Sequence, residues 1–419
     1  MPTRRFFLRS SGLAFASFGI APRALARAAA AVPGGRGKTL VVLLQRGACD
    51  GLNVVIPYAE KEYAKARPTI ALAAPGREGG ALDLDGHFGL HPALEPLLPL
   101  WREGSLAAVH ALGSPHPTRS HFDAQDFLES GTPGVKSTRD GWMNRHLQAR
   151  PAAAASPLRA VAISPTLPRA LQGRAGAVAL TDAASFELRE AAGTRVAAGF
   201  EGMYAAAARD ALGGTARETF GAIDALSDVE PMAEPRAGRG EPAMAQRAAR
   251  RRGPGVGAAL REVARLIRSD LGVELAFVEM DGWDHHSGEG GANGQLAQRL
   301  RELGEALAGF HETVGSRMSD VAVVVLTEFG RTLRENGARG TDHGHGSVAL
   351  VLGGPVRGGR VVGRWPGLGE DALHEGRDLA VTTDFRDLLG ELLVGHLGAR
   401  DLSTVFPGHP LAPPGVLRG

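Results

Sequence analysis

A repeated pairing constrains the fold of this chain most: a short uninterrupted apolar run, then a cluster of polar residues and glycines. Leu40–Leu44 runs into Gln45-Arg46-Gly47-Ala48-Cys49-Asp50-Gly51-Leu52-Asn53. Leu106–Ala111 is followed by Ser114-Pro-His-Pro-Thr-Arg-Ser120-His121-Phe122-Asp123, and Val273–Met280 by Asp281-Gly-Trp-Asp284-His285-His286. Val321–Leu326 is followed by Thr327-Glu328-Phe-Gly-Arg331-Thr332, and a fifth cluster, Gly340-Thr-Asp342-His343-Gly-His345-Gly346, leads into Val348–Leu352. Apolar runs without alternation predict strands buried on both faces, which requires helices above and below the sheet.

The helices are legible between them. Pro92–Glu103 opens on proline and is followed by Gly104, and Ser120–Leu128 reads as a short helix. Gly257–Ser269 carries Leu260, Val263, Leu266 and Ile267 on one stripe, Gln295–Thr313 follows, and Asp384–Leu397 begins at a residue suited to an N-cap. With Val161–Ser164 and Ala177–Leu180 as further short strands, the alternation predicts an α/β fold over residues 39–407. It is a three-layer arrangement, a mainly parallel sheet with helices on both faces. The 419-residue length leaves room for one such domain with an insertion. Residues 183–256 supply that insertion: Ala-rich with helical spacing to Asp228, then rich in Pro, Gly, Ala and Arg from Pro231 to Pro254. The basic run Arg247–Arg252 lies in this linker and reads as a solvated segment.

The N-terminus carries an address. Thr3-Arg4-Arg5-Phe6-Phe7-Leu8-Arg9 fits the twin-arginine export pattern, an apolar stretch follows from Gly12 to Ile20, and Ala24-Leu25-Ala26 offers a small-x-small cleavage site. Residues 1–30 are therefore expected to be a signal peptide, the twin-arginine translocase a partner, and the periplasm the destination. Without Arg4, Arg5, Arg9 and Arg23 the chain holds 43 basic residues against 45 acidic ones, a net charge of −2, which is no nucleic-acid footprint. No later apolar run is long enough to span a bilayer, so no stable membrane anchor is expected. The single cysteine, Cys49, excludes a disulfide within the chain and reads as a packing residue.

In open parallel sheets, ligands bind at the carboxyl ends of the strands, where these polar clusters converge. Mixed carboxylate and imidazole donors suit a divalent metal such as zinc, manganese or iron. Any one cluster alone is equally a hydrogen-bonded loop, and His121 reads as bonding locally. His87, His91, His110 and His374 stand without convergent context and read as structural.

Five motifs make the likeness specific: Arg46-Gly-Ala-Cys-Asp50-Gly-Leu-Asn53, Ser120-His-Phe-Asp-Ala-Gln125, Gly282-Trp-Asp-His-His286, Thr327-Glu-Phe-Gly-Arg-Thr332 and Gly340-Thr-Asp-His-Gly344. From about Thr39 to Pro407 the chain resembles the twin-arginine-exported domain of unknown function 1501 family, of the alkaline phosphatase-like and sulfatase-like superfamily. The resemblance implies a metal-dependent hydrolase of small anionic phosphate or sulfate esters. It implies Asp50, Asp284, His286, Glu328 and His343 as metal ligands, with His345 as alternate and Asp342 beside them. It also implies Ser120 as nucleophile at a helix N-terminus and Arg46 or Arg331 as clamps on the anionic oxygens. Two departures stand out. Glu328-Phe329 occupies a place where the superfamily has Asp-His, and the Asp284-x-His286 spacing is short, so Asp281 with His285 is an alternative register. A non-catalytic exported binding or assembly protein, with a co-exported partner, is the competing reading. Redox chemistry ranks last, since no Cys or haem motif accompanies the clusters.

Overall fold

In the computed structural model the described residues are 37–150, 156–181 and 254–419. The signal segment 1–30 and nearly all of the insertion at 183–256 lie outside them.

The apolar runs form strands because every residue in them can be buried. The strands of the sheet are β1 (Thr39–Arg46), β2 (Leu106–Gly113), β3 (Ala160–Ile163), the half-buried β4 (Val178–Leu180) and β5 (Leu275–Asp281). The chain continues with β6 (Val321–Thr327), β7 (Ser347–Gly353), β8 (Arg360–Val362) and β9 (Thr383–Asp384). They make one nine-stranded sheet in the order β8-β2-β7-β6-β1-β5-β3-β4, with β9 extending beside β2. β1 lies at the centre and runs parallel to β5 and β6. β7 runs antiparallel to both its neighbours, β6 and β2. That reversal explains why one polar cluster precedes its strand: the start of β7 lies at the edge where the parallel strands end. The register agrees, pairing Gln45 with Thr327, Arg46 with Asp281 and Ser347 with Leu112.

Side chains alternate between two cores. Val41 and Leu43 of β1 pack with Leu260 and Val263 of α3 (Val256–Arg268) and Leu300 and Leu307 of α4 (Gln295–Val314). Leu40, Val42 and Leu44 pack on the other face with Trp142 of α2 (Trp142–Ala149) and Leu388 and Leu389 of α5 (Phe385–Glu391). The expected three layers are present, with a mostly parallel sheet between helices. α1 (His121–Ser130) starts at Ser120, whose side chain accepts from Asp123 N, and stops at Gly131 in the left-handed region, φ +67°.

Local chemistry redraws some predicted boundaries. Pro92–Leu97 is a 3₁₀ helix because Pro96 lacks the donor an α-helix needs there, and regular α geometry starts only at Leu98. The last helix passes into a π-turn at Leu392–His396. Three features lacked a sequence signal: α2, the hairpin Arg331–Glu335/Thr341–His343, and a small sheet of Val55–Ile56, Leu82–Asp83 and Gly89–Leu90. Among the described residues no helix is long and apolar enough to cross a membrane.

Glu274, just before β5, ties this strand to α2 and the start of β3. It accepts from Arg159 Nε at 2.7 Å, His146 Nε2 at 2.9 Å and Arg150 Nη1 at 3.1 Å. Burial alone would push its carboxyl up, but the bonds from His146 and Arg159 outweigh burial and hold it at about 2, below the ordinary 4.5. A depressed carboxyl stabilises the fold above its unfolded pKa, and that stability is lost as pH falls from 4.5 towards 2. We expect Glu274→Gln to cost roughly 2 kcal/mol at neutral pH. Urea unfolding should show this gap closing below about pH 4; a gap that does not depend on pH would exclude ionic stabilisation.

Candidate metal centre

Three histidines from distant parts of the chain meet at the carboxyl edge of the sheet. His121 is the first helical residue of α1, His286 lies in the loop after β5, and His343 ends the hairpin that precedes β7. Close backbone packing sets the loops together. A Cβ on Gly340 would stand 2.4 Å from His286 C, and one on Gly330 would stand 1.8 Å from Gly346 O, so only glycine fits at either point. Asn336 shapes the hairpin turn: its Oδ1 accepts from Ala338 N and Gly340 N, and its Nδ2 donates to His286 O and Asp342 Oδ1.

The three rings face one another through Nε2. His343 Nε2 lies 3.0 Å from His121 Nε2 and 2.9 Å from His286 Nε2. Asp284 completes the set, with Oδ1 3.0 Å from His286 Nε2 and 3.3 Å from His343 Nε2, and Oδ2 3.6 Å from His121 Nε2. One ligand atom from each of His121, Asp284 and His343 lies within 4.8 Å of the other two.

What faces each Nδ1 decides the chemistry. His343 Nδ1 meets the carbonyl of Arg119 at 2.8 Å, His121 Nδ1 meets Glu328 Oε1 at 2.8 Å, and His286 Nδ1 meets Asp342 Oδ1 at 3.3 Å. All three partners are acceptors, so in the neutral rings Nδ1 carries the proton and Nε2 presents a bare lone pair. Lone pairs about 3 Å apart beside a carboxylate repel unless protons or a cation stand among them. A divalent cation fits this donor set, and the outer acceptors are of the kind that orient metal-binding imidazoles.

The surrounding charges favour ionised carboxylates. Burial pushes Glu328 up, but hydrogen bonds from His121, Gln125 and Gly47 N outweigh it and hold the carboxyl below its usual range. The bond to Glu328 likewise raises His121. Against a burial effect, the Arg331 guanidinium beside Asp284 keeps that carboxyl low. Burial lowers His343, favouring its neutral, ligating form.

The other residues singled out in the sequence stand elsewhere. Asp284, His286 and His343 come together, whereas His285 is buried with its carbonyl accepting from Thr341 N, so the Asp284-x-His286 register is the one the loop adopts. Glu328 is buried behind His121, accepting also from Gln125 Nε2 and Gly47 N, and so orients a ring instead of joining the converging atoms. Asp342 orients His286. Asp50 stands apart, both its oxygens taken by Arg67 at 2.5 and 2.9 Å. His345 points Nε2 at Ser114 O and packs its ring on His374, 4.2 Å between centroids. Both expected anion clamps are engaged within the protein. Arg46 donates to Glu279, Gln125 and Glu129, and Arg331 to Asp284 and to the carbonyls of Ala48, Gly47, Thr341 and Trp283. Ser120 is exposed, and its Oγ accepts from Asp123 N at a long 3.5 Å.

Sequence reasoning underrated His121. The available signal was its place: the first helical residue after the loop that leaves β2, where a side chain is directed back to the strand ends.

A family model described as protein of unknown function (DUF1501) matches residues 102–404. No curated protein matches the chain. Among solved structures, the chain is similar to a protein in the alkaline phosphatase superfamily from Vibrio parahaemolyticus, with TM-score 0.37 and 12% identity over 93% of this chain and 78% of that one. It is also similar to the C-terminal periplasmic domain of EptC from Escherichia coli, solved in complex with Zn, with TM-score 0.34 and 10% identity over 77% and 74%. A third is the lipoteichoic acid synthase LtaP from Listeria monocytogenes, with TM-score 0.36 and 8% identity over 91% and 75%.

If the converging donors hold a cation, purified protein dialysed against zinc should retain about one ion per chain by elemental analysis. His343→Ala should lose it, Glu328→Gln should weaken it by about 10–100-fold, and His345→Ala should leave it unchanged. Equal retention in His343→Ala and the parent protein would exclude the site.

Proposed function

The chain belongs to the family described as protein of unknown function (DUF1501), and on that premise we propose that it is an exported, metal-dependent hydrolase of phosphate or sulfate esters. One observation carries the reading: three imidazoles, each with Nδ1 engaged by an acceptor, turn Nε2 and Asp284 to one space at the ligand-binding edge of the sheet. His121, His286, His343 and Asp284 would hold a divalent ion, zinc or manganese by donor type. Such an ion supplies Lewis acidity to an ester oxygen and lowers the pKa of a nucleophilic hydroxyl or water.

The protein's own groups would do the rest. Ser120 sits at the N-terminus of α1, where free backbone N–H groups favour an anion and a developing alkoxide. Its long cap bond leaves the hydroxyl open to a substrate. Glu328 holds the proton of His121 at Nδ1, keeping the other ring nitrogen towards the site. Because their donors are committed inside the fold, Arg46 and Arg331 are not assigned a role on the substrate. Export rests on Thr3–Arg9, with the twin-arginine translocase as carrier.

A second reading, an exported binding or assembly protein with a co-exported partner, is favoured by those same committed guanidinium groups. Fold alone never proves activity.

Two measurements test the proposal. Protein loaded with zinc or manganese should turn over an aryl phosphate or aryl sulfate. His343→Ala should abolish turnover and metal together, while Ser120→Ala should lower turnover by at least about 100-fold and keep the metal. Absence of turnover with both esters and both metals, beside a stable stoichiometric complex with a co-exported protein, would favour the second reading. Separately, replacing both Arg4 and Arg5 by Lys should leave the precursor in the cytoplasmic fraction; unchanged periplasmic recovery would contradict the assigned route.

A further inference from the structure

Behind the converging donors, one buried carboxylate holds two arginines that each reach the residue carrying the middle ring. Asp378 has 0% exposure. Its Oδ2 accepts from Arg119 Nη2 at 2.6 Å, Arg119 Nε at 3.3 Å and Arg377 Nη2 at 3.2 Å, and its Oδ1 accepts from Arg377 Nε at 2.9 Å. Each arginine then reaches His343. The carbonyl of Arg119 faces His343 Nδ1 at 2.8 Å, and Arg377 Nη2 donates to His343 O at 2.7 Å. The carboxylate itself is well anchored. Asp378 N donates to His374 O, His374 N donates back to Asp378 O, and the residue bridges Thr332, whose hydroxyl accepts from Asp342 N.

The arrangement has a stated cost. A carboxylate this buried is tolerated only when paired and hydrogen-bonded, and here two guanidinium groups neutralise it. Both arginines are partly exposed, 30% and 43% of their side chains, so without Asp378 each has solvent to turn to. Arg119 also has Glu375, at 2.7 Å. Held to Asp378, the Arg119 side chain pins the segment whose main chain supplies the acceptor at His343 Nδ1, and Arg377 ties the His343 carbonyl to the same carboxylate.

We propose that Asp378 is a positioning residue of the metal centre: by clamping Arg119 and Arg377 it fixes the acceptor that keeps the His343 proton on Nδ1 and so aims Nε2 at the other donors. The inference rests on the metal-binding reading of the site. It assigns a role to the His374–Asp378 turn, a segment without a place in the sequence motifs. Asp378 touches neither metal nor substrate and acts through His343.

Asp378→Asn keeps the shape and removes the charge. Two quantities report on it: the zinc dissociation constant by competition with a chelator, and the His343 tautomer by long-range ¹⁵N–¹H correlation in the metal-free protein. Asp378→Asn is expected to weaken zinc binding by about 10–100-fold and to move His343 away from the Nδ1–H tautomer. Arg377→Gln, which leaves the Arg119 pair in place, should show a smaller shift in the same direction and serves if the first variant does not fold. Glu274→Gln, an ion-pair lesion far from the site, controls for lost stability and should change neither quantity. Zinc binding within about threefold of the parent in Asp378→Asn, with an unchanged tautomer, would overturn the proposal. If the parent protein binds no zinc, the metal reading fails by itself, and the tautomer alone then decides the role of Asp378.

Discussion

The buried guanidinium of Arg331 is the tie on which the site depends. Its side chain is fully enclosed, yet each nitrogen finds an acceptor: Nε at Ala48 O, Nη1 at Thr341 O, and Nη2 at Gly47 O and Asp284 Oδ1. Those partners lie on three loops that leave β1, follow β5 and precede β7. A charge so placed is stable only because its donors are matched, and loss of matching would cost about 3–5 kcal/mol. Lysine does not replace it, because one ammonium cannot reach acceptors arranged around a planar fork. Sequence reading gave Arg331 a substrate to hold; the fold gives it the loops that would surround one.

A second buried charge network lies at the first strand's exit. Asp50 pairs with Arg67, and Arg67 continues to Asn53 Oδ1 and the carbonyls of Thr332 and Leu333. Glu289 lies near Asp50 with 0% exposure, and burial, reinforced by the Asp50 carboxylate, drives its carboxyl far up. Thr341 Oγ1 donates to Glu289, which joins this network to the hairpin carrying His343. Asp50 therefore has a full electrostatic account without an ion: a cation is already beside it, in the form of Arg67.

Much of the fold was legible because burial dictates pattern. Strands β1, β5, β6 and β7 read directly from unbroken apolar runs, and α3 and α4 from their stripes. The reversal of β7 was not legible, since an apolar run carries no direction; it emerges only from pairing with β2 and β6. The same limit applied to the site. The convergence of Asp284, His286 and His343 was legible because they sit in polar clusters at strand ends. Glu328 sits in such a cluster too, but one position decides whether a carboxylate at a strand end faces the space or backs a ring, and spacing does not encode that. His121 was passed over because a histidine after an N-cap serine has an ordinary local explanation. Asp378 was invisible for another reason: its importance lies in two arginines that meet only in three dimensions.

The three converging rings differ in how they are held, and the difference bears on how such a pocket can diverge. His121 and His286 are oriented by the side chains of Glu328 and Asp342, which a single codon change can remove. His343 is oriented by a peptide carbonyl, a group common to all residues, so no substitution at position 119 deletes it. The acceptor at the middle ring cannot be deleted at its own position; it can only be displaced through the residues that hold the Arg119 segment, Asp378 among them. Change at the flanks needs only one side chain, whereas change at the centre needs a shift of main chain.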